Sequence, residues 1–259
     1  MPPLIAKKHL GQHFLQDKAI ACKIVSALRR NTRAVIEVGP GLGILTTLLV
    51  QQAHQALHLI EIDARLVADL HKRYPSLRKR IIKDDFLQVD LAALFPGTIA
   101  IIGNFPYNIS SQIFFKVLAH RQQVTEVVGM VQREMALRLV ARPGNKVYGL
   151  LSVLLQAFYD LDYLFTVAPQ VFTPPPKVWS AVVHLRRNDT VRLQCNEDLF
   201  FKVVKAGFAQ RRKTLRNALS AFFPSNKLPL QLLSKRAEQL EVADFVALTN
   251  CIQHQNQVL

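Results

Sequence analysis

The sequence predicts an α/β protein: a mostly parallel sheet ending in an antiparallel hairpin, followed by a small all-helical domain. Three observations carry this. Short β-branched runs alternate with helical stretches, a glycine-rich turn follows the first run, and the texture becomes helical, basic and aromatic from Asn188 onward.

Ala34-Val35-Ile36-Glu37-Val38 reads as the first strand and feeds Gly39-Pro40-Gly41-Leu42-Gly43, then a helix beginning at Ile44. Three further strands are expected at Ala56–Ile60, Arg80–Lys83 and Thr98–Gly103, ending in Glu61-Ile62-Asp63, Asp84-Asp85-Phe86 and Asn104-Phe105-Pro106-Tyr107. Helices at Ala64–Tyr74 and Ile109–Ala119 lie between strands, the alternation that builds a parallel sheet. Polar residues gather just past strand ends, where doubly wound sheets bind ligands. Glu126–Val131 reads as a buried strand, Arg133–Ala141 and Leu150–Phe158 as helices, and Tyr163–Val167 with Ser180–Leu185 as the terminal hairpin. Between the hairpin strands, Phe172-Thr173-Pro174-Pro175-Pro176-Lys177-Val178 forms a stiff loop. The expected division is a catalytic domain over 1–187, with 1–9 a mobile basic tail, and a small basic helical domain over 188–259.

The 259 residues carry 33 Lys and Arg against 18 Asp and Glu, a net charge of +15, which points to a polyanionic partner. The longest apolar stretches fall short of a bilayer span, and the N-terminus lacks a signal-peptide apolar region, so no segment supports a membrane role. Cys22, Cys195 and Cys251 are scattered without a Cys-x-x-Cys pair, which implies a reducing compartment and neither a disulfide frame nor a zinc knuckle.

The Asn104-Phe105-Pro106-Tyr107 turn is the strongest chemical signal. An exocyclic amine on a nucleobase is a poor nucleophile, and an enzyme that alkylates it must hold both N–H bonds. The Asn104 side-chain oxygen and the Phe105 carbonyl are acceptors, Pro106 fixes φ, and Tyr107 offers a face for stacking. Gly39-x-Gly41-x-Gly43 lacks the third glycine of the dinucleotide fingerprint, since Ile44 stands there, which weakens a pyrophosphate reading. Glu61 is placed to accept from ribose hydroxyls, and Asp85 from an adenine amino group. Ordered at successive strand ends, these residues form a set for S-adenosylmethionine, with no metal required.

Several ordered motifs now coincide: Gly11-Gln12-His13-Phe14-Leu15, Glu37 through Gly43, Glu61-Ile62-Asp63, Asp85, Asn104 through Ser110, Phe172 through Val178, and Phe208 through Asn217. On these the chain resembles, over nearly its whole length, the small-subunit ribosomal RNA adenine dimethyltransferases of the KsgA type, relatives of the Erm 23S rRNA methyltransferases. The resemblance implies a Rossmann-like class I S-adenosylmethionine-dependent methyltransferase fold, acting on two adjacent adenosines near the 3′ end of 16S rRNA in an immature 30S subunit, in the cytoplasm; a monomer is the default expectation. It further implies that His13 and Leu15 close over the cofactor, that Gly39 approaches its methionine end, that Glu61 holds the ribose and that Asp85 reads the adenine, with Gly41, Ile62 and Phe86 also in the cofactor site. Asn104 then serves both cofactor and target amine. Tyr107 and Phe172 sandwich the flipped adenine, while Lys177, Arg211, Arg212, Lys213 and Arg216 meet RNA. Two positions depart from the family pattern: His13 stands where Asn is usual, and Phe105 where Leu or Ile is usual. An Erm-type 23S rRNA enzyme and a catalytically silent assembly factor are the rival readings.

Overall fold

A computed structural model describes residues 5–29, 34–52, 56–220 and 230–256. In chain order the elements are β1 (Phe14–Leu15), α1 (Lys18–Ser26), β2 (Ala34–Val38), α2 (Ile44–Gln51), β3 (Ala56–Glu61), α3 (Ala64–Arg73), β4 (Ile81–Lys83), α4 (Leu91–Leu94) and β5 (Ile99–Asn104). They continue with α5 (Ser110–Ala119), β6 (Val124–Gln132), α6 (Arg133–Val140), α7 (Leu150–Gln156), β7 (Tyr159–Val167), β8 (Phe172–Thr173) and β9 (Ser180–Arg187). The helices α8 (Glu197–Ala209), α9 (Leu215–Ala218), α10 (Leu230–Leu233) and α11 (Val242–Asn256) complete the chain.

Seven strands form one sheet in the order β4-β3-β2-β5-β6-β9-β7. The first five are parallel, and β9 pairs antiparallel to β6. The order reverses between β2 and β5, so the crevice outside their carboxyl ends is the expected ligand position. Val35, Ile36, Ile101, Ile102, Val127 and Val128 are wholly buried, as strands covered on both faces require. Phe14 and Leu15 pair with Thr173 and Phe172 in a separate two-stranded sheet that the sequence did not announce.

Residues up to Ala136, with Leu161–Arg187, form one compact unit; Leu137–Asp160 and Asn188–Leu259 form the other. The expected boundary after residue 187 coincides with the later break, but 137–160 belongs with the helical unit. The reason is packing within that unit: the Tyr148 ring lies 6.1 Å from Phe208, and Phe158 stacks on Phe201 at 6.4 Å. The tail expected over 1–9 is also corrected where it is described. Lys7 is fastened by its ammonium to Asp63 at 3.2 Å, and Lys8–Leu10 form a short 3-10 turn. Residues 1–4 lie outside the described residues.

Candidate active site

The loops after β2, β3, β4 and β5 surround a cavity of about 230 Å³, and residues 10–14 cover it. The turn after β2 supplies Gly39 and Gly41, with φ of 64° and 57°, backbone that a side-chain-bearing residue rarely adopts. A Cβ at Gly39 would meet only Pro106, at 4.0 Å, so the space over its α-carbon is open to the cavity.

Glu61 is 5% exposed and lines the cavity. Its Oε1 accepts from the Asp63 backbone N–H at 2.9 Å and its Oε2 from the Gly41 N–H at 3.2 Å. Burial raises its pKa, and those two backbone bonds oppose the shift. Each oxygen keeps a further lone pair for a ligand hydroxyl. Ile62, half exposed, and Phe86, buried, bring apolar surface to the same cavity, and Asp84 and Asp85 add carboxylates. Asp85 Oδ1 accepts from the Leu87 N–H at 2.9 Å. The loop is braced from α5: Lys116 Nζ donates to the carbonyls of Leu87 and Val89, with its charge 5.4 Å from the centre of the Phe86 ring.

At the end of β5, Asn104 Nδ2 donates to the His13 carbonyl at 2.7 Å. A carbonyl only accepts, so this bond fixes which end of the amide is nitrogen and leaves Oδ1 as the free acceptor. The Phe105 N–H donates to the Met130 carbonyl at 3.0 Å. The Phe105 ring lies over two glycines paired in register on adjacent strands, Gly103 and Gly129. A Cβ at Gly129 would fall 2.4 Å from Phe105 Cε2, and one at Gly103 would fall 2.5 Å from the Val38 carbonyl oxygen. The larger side chain at position 105 is thus accommodated by an absent one at 129. Tyr107 shares a hydrogen bond of 2.5 Å with the Ser180 hydroxyl, and its phenol pKa is raised by burial.

The cover is fastened elsewhere. Asp63 caps α3 and accepts from Lys7, from Gln12 Nε2 at 3.2 Å and from Arg65 Nη2 at 2.7 Å. The Arg65 guanidinium, with these other donors, holds its carboxyl well below the usual carboxylate range. His13 lines the cavity, donates from Nδ1 to the Pro174 carbonyl at 2.8 Å, and stacks on Tyr107 at 5.5 Å between ring centres.

Three expected roles meet a different arrangement. Phe172 is 2% exposed and belongs to the core cluster that also holds α1 and β2 side chains, so it offers no face to a base; the ring beside Tyr107 is His13. Leu15 is 3% exposed and packs in the same core, pinned by its pairing with Phe172; it lines not the main cavity but a smaller one of about 30 Å³ that shares Gly39, Gly41 and Asn104 with it. Arg211 braces the helical unit: its Nη2 donates to the carbonyls of Lys146 at 2.7 Å and Tyr148 at 3.1 Å and lies 3.5 Å from Glu238. Arg212, Lys213, Arg216 and Lys177 are exposed. Sequence reading missed Gly129 and assigned no task to Asp63 or Ser180. A lone glycine within Val127-Val128-Gly129-Met130-Val131 was the available signal, since such a residue in a strand marks close approach by another group.

Among the described residues no cluster of three or more His, Cys, Asp or Glu is placed to hold a metal, and no helix is long and apolar enough to cross a membrane.

A parallel sheet reversing between β2 and β5, with a glycine turn, a buried carboxylate past β3 and an Asn-Phe-Pro-Tyr turn around one crevice, defines a class I methyltransferase fold. Comparison with known proteins narrows this. Residues 4–254 match the family model described as ribosomal RNA adenine dimethylase, and the chain belongs to that family. It is 52% identical to the ribosomal RNA small subunit methyltransferase A of Cytophaga hutchinsonii over 97% of this chain and 99% of that one. The protein of the same name from Parabacteroides distasonis is also 52% identical, over 94% and 92%. Among solved structures, a dimethyladenosine transferase from Plasmodium falciparum superposes with a TM-score of 0.77 at 25% identity, covering 95% of this chain and 98% of that one. The 23S rRNA methyltransferase ErmE, at 24% identity and a TM-score of 0.67 over 92% and 99%, shares the fold.

Proposed function

We propose that this protein uses S-adenosylmethionine to dimethylate N6 of two adjacent adenosines in the 3′-terminal hairpin of 16S rRNA, within an immature 30S particle in the cytoplasm. The observation that carries this is the orientation of Asn104. Its Nδ2 is committed to His13, so Oδ1 and the Phe105 carbonyl are two acceptors for the two N–H bonds of an adenine amine.

The cavity suits the cofactor. Its open space over Gly39, the buried Glu61 carboxylate, the Ile62 and Phe86 surfaces and Asp85 match, in turn, a methionine chain, a ribose, a purine face and a purine amine. When bound, S-adenosylmethionine supplies a methyl group on a sulfonium. Asn104 and Phe105 hold the amine so that its lone pair points along the line of attack, and their negative ends favour the positive charge that develops on nitrogen. Tyr107 stacks on the extracted base, which returns roughly 1–3 kcal/mol toward unstacking. Its hydroxyl, tied to Ser180, holds the ring in place. The ammonium formed can release its proton to water, so no side-chain base is needed.

Exposed Arg212, Lys213 and Arg216 supply phosphate contacts, giving binding that weakens with salt. The names of the relatives near 50% identity favour the small subunit over a 23S rRNA target. The test is transfer of labelled methyl to under-methylated 30S particles, with 50S particles and 23S rRNA in parallel, followed by nucleoside mass analysis. N6,N6-dimethyladenosine in 16S rRNA alone is the expected result; label in 23S rRNA would favour an Erm-type enzyme. Binding of the particles without label would favour an assembly factor. Asn104→Ala is expected to abolish transfer while leaving particle binding within about twofold, because it removes an acceptor felt only at the reacting amine; retained turnover would remove Asn104 from the mechanism.

A further inference from the structure

Trp179 is the single tryptophan of the chain, and it is 53% exposed beside Val178 at 42%. Scattered exposed apolar residues are ordinary; this pair differs in how its loop is held and in what adjoins it. The His13 ring donates to the Pro174 carbonyl at 2.8 Å, and the Arg133 N–H donates to the Trp179 carbonyl at 2.9 Å. The next residue, Ser180, holds the Tyr107 hydroxyl at 2.5 Å. Prolines at 174, 175 and 176 restrict φ between these anchors. The indole therefore stands on backbone that is already ordered, one residue from the partner of the aromatic ring in the catalytic turn. Its loop carries no Asp or Glu from Tyr163 to Asn188 and bears exposed Lys177; at the Arg133 anchor, exposed Arg133 is followed by exposed Glu134.

We propose that Trp179 is a second stacking platform, which takes the face of a nucleobase flanking the adenine received by Tyr107. The inference rests on the reading of the protein as an RNA methyltransferase. Extracting one base from a strand strips a stacking partner from its neighbour, and a fixed aromatic surface beside the pocket restores that contact. Exposed Lys177 and Arg133, offset in part by exposed Glu134, suit the phosphates on either side of such a base better than an apolar protein surface.

Because no other indole is present, Trp179 emission reports its own surroundings. The protein is titrated with a short RNA hairpin carrying two adjacent loop adenosines, and saturation is followed separately by anisotropy of end-labelled RNA. Stacking predicts saturable quenching that tracks occupancy. In methyl transfer to under-methylated 30S particles, Trp179→Ala is expected to raise KM roughly five- to tenfold, the low end of base–aromatic stacking, with kcat within about twofold. Trp179→Phe should recover most of the loss, and S-adenosylmethionine affinity should be unchanged in both variants. Unaltered emission at RNA saturation, or a phenylalanine variant no better than alanine, would overturn the proposal. A KM effect on particles without quenching by RNA would assign the indole to a ribosomal protein and overturn it equally. Failure of the parent reading shows separately, as an unmodified enzyme that transfers no methyl to either RNA.

Discussion

The floor and the roof of the cavity are held by different physics. The floor is backbone at the ends of β2 to β5: positive-φ glycines, main-chain bonds such as Phe105 N–H to Met130, and a ring seated on in-register Gly103 and Gly129. Once the sheet forms, these positions follow. The roof, residues 7–14, joins the strand pair β1–β8 at Phe14 and is otherwise attached largely through side chains, with Lys7 and Gln12 converging on the single carboxylate of Asp63. Individual bonds of that kind contribute about 0.5–3 kcal/mol each, so the roof can open without unfolding the sheet.

The comparison breaks most visibly at Gly129. Gly129→Ala, which touches no ligand, is expected to displace the Phe105 ring and lower kcat for methyl transfer by about 100-fold, the scale of a 1 Å misplacement. Combining it with Phe105→Leu should restore much of the rate. A Gly129→Ala enzyme with normal kcat would show that the floor tolerates movement after all.

Next comes Glu61. Glu61→Ala is expected to weaken S-adenosylmethionine binding roughly 30-fold, as befits loss of a charged acceptor for ribose, read by calorimetry. Unchanged affinity would end its ribose assignment.

Asp63→Asn keeps an acceptor for the α3 cap and removes the charge that holds Lys7 and Arg65. A severalfold faster cofactor release and quicker proteolysis near residues 7–13 are expected, with a modest fall in melting temperature at neutral pH. A large loss of melting temperature with no change in release would make Asp63 part of the floor instead. The charge on Asp63 contributes stability above the ordinary carboxylate pKa, and that contribution is lost as pH falls through its depressed folded value.

The smallest effect sharpens the electrostatics of the floor. Glu37, buried beneath the glycine turn and bonded by the Thr46 hydroxyl at 2.6 Å, has its pKa pushed up to about 8, first by burial and further by nearby Glu61. The folded protein keeps a proton there that the unfolded chain releases near pH 4.5, so stability declines as pH rises toward 8. Glu37→Gln should raise the melting temperature by roughly 5 °C at pH 8.5 and by little at pH 5. Equal shifts at both pH values would mean the carboxyl is already ionised in the fold.

Much of the floor was legible in the sequence because its signals are local. The run Ala34–Val38 becomes β2 unchanged, and Glu61, Asp85 and Asn104 were placed by where apolar runs stop. The roof was less legible, since Lys7 finds Asp63 across 56 positions and no period or turn signal spans that gap. Phe172 shows the limit of motif reading: its neighbours mark a loop, but its burial depends on pairing with Leu15, which only the assembled chain reveals. The same holds for 137–160, whose helix-forming pattern is local while its allegiance to Phe201 and Phe208 is not.

The bond from Asn104 to the His13 carbonyl ties floor to roof at one atom pair. An amide side chain is nearly symmetric in shape, and a half-turn exchanges acceptor for donor. With the roof raised, nothing among the bonds described here chooses between the two; with it lowered, only one orientation is satisfied. Under the proposed function, the segment over the cavity thereby acts as a key that sets polarity, and an adenine arriving before the key is turned meets a group as ready to repel its amine as to receive it.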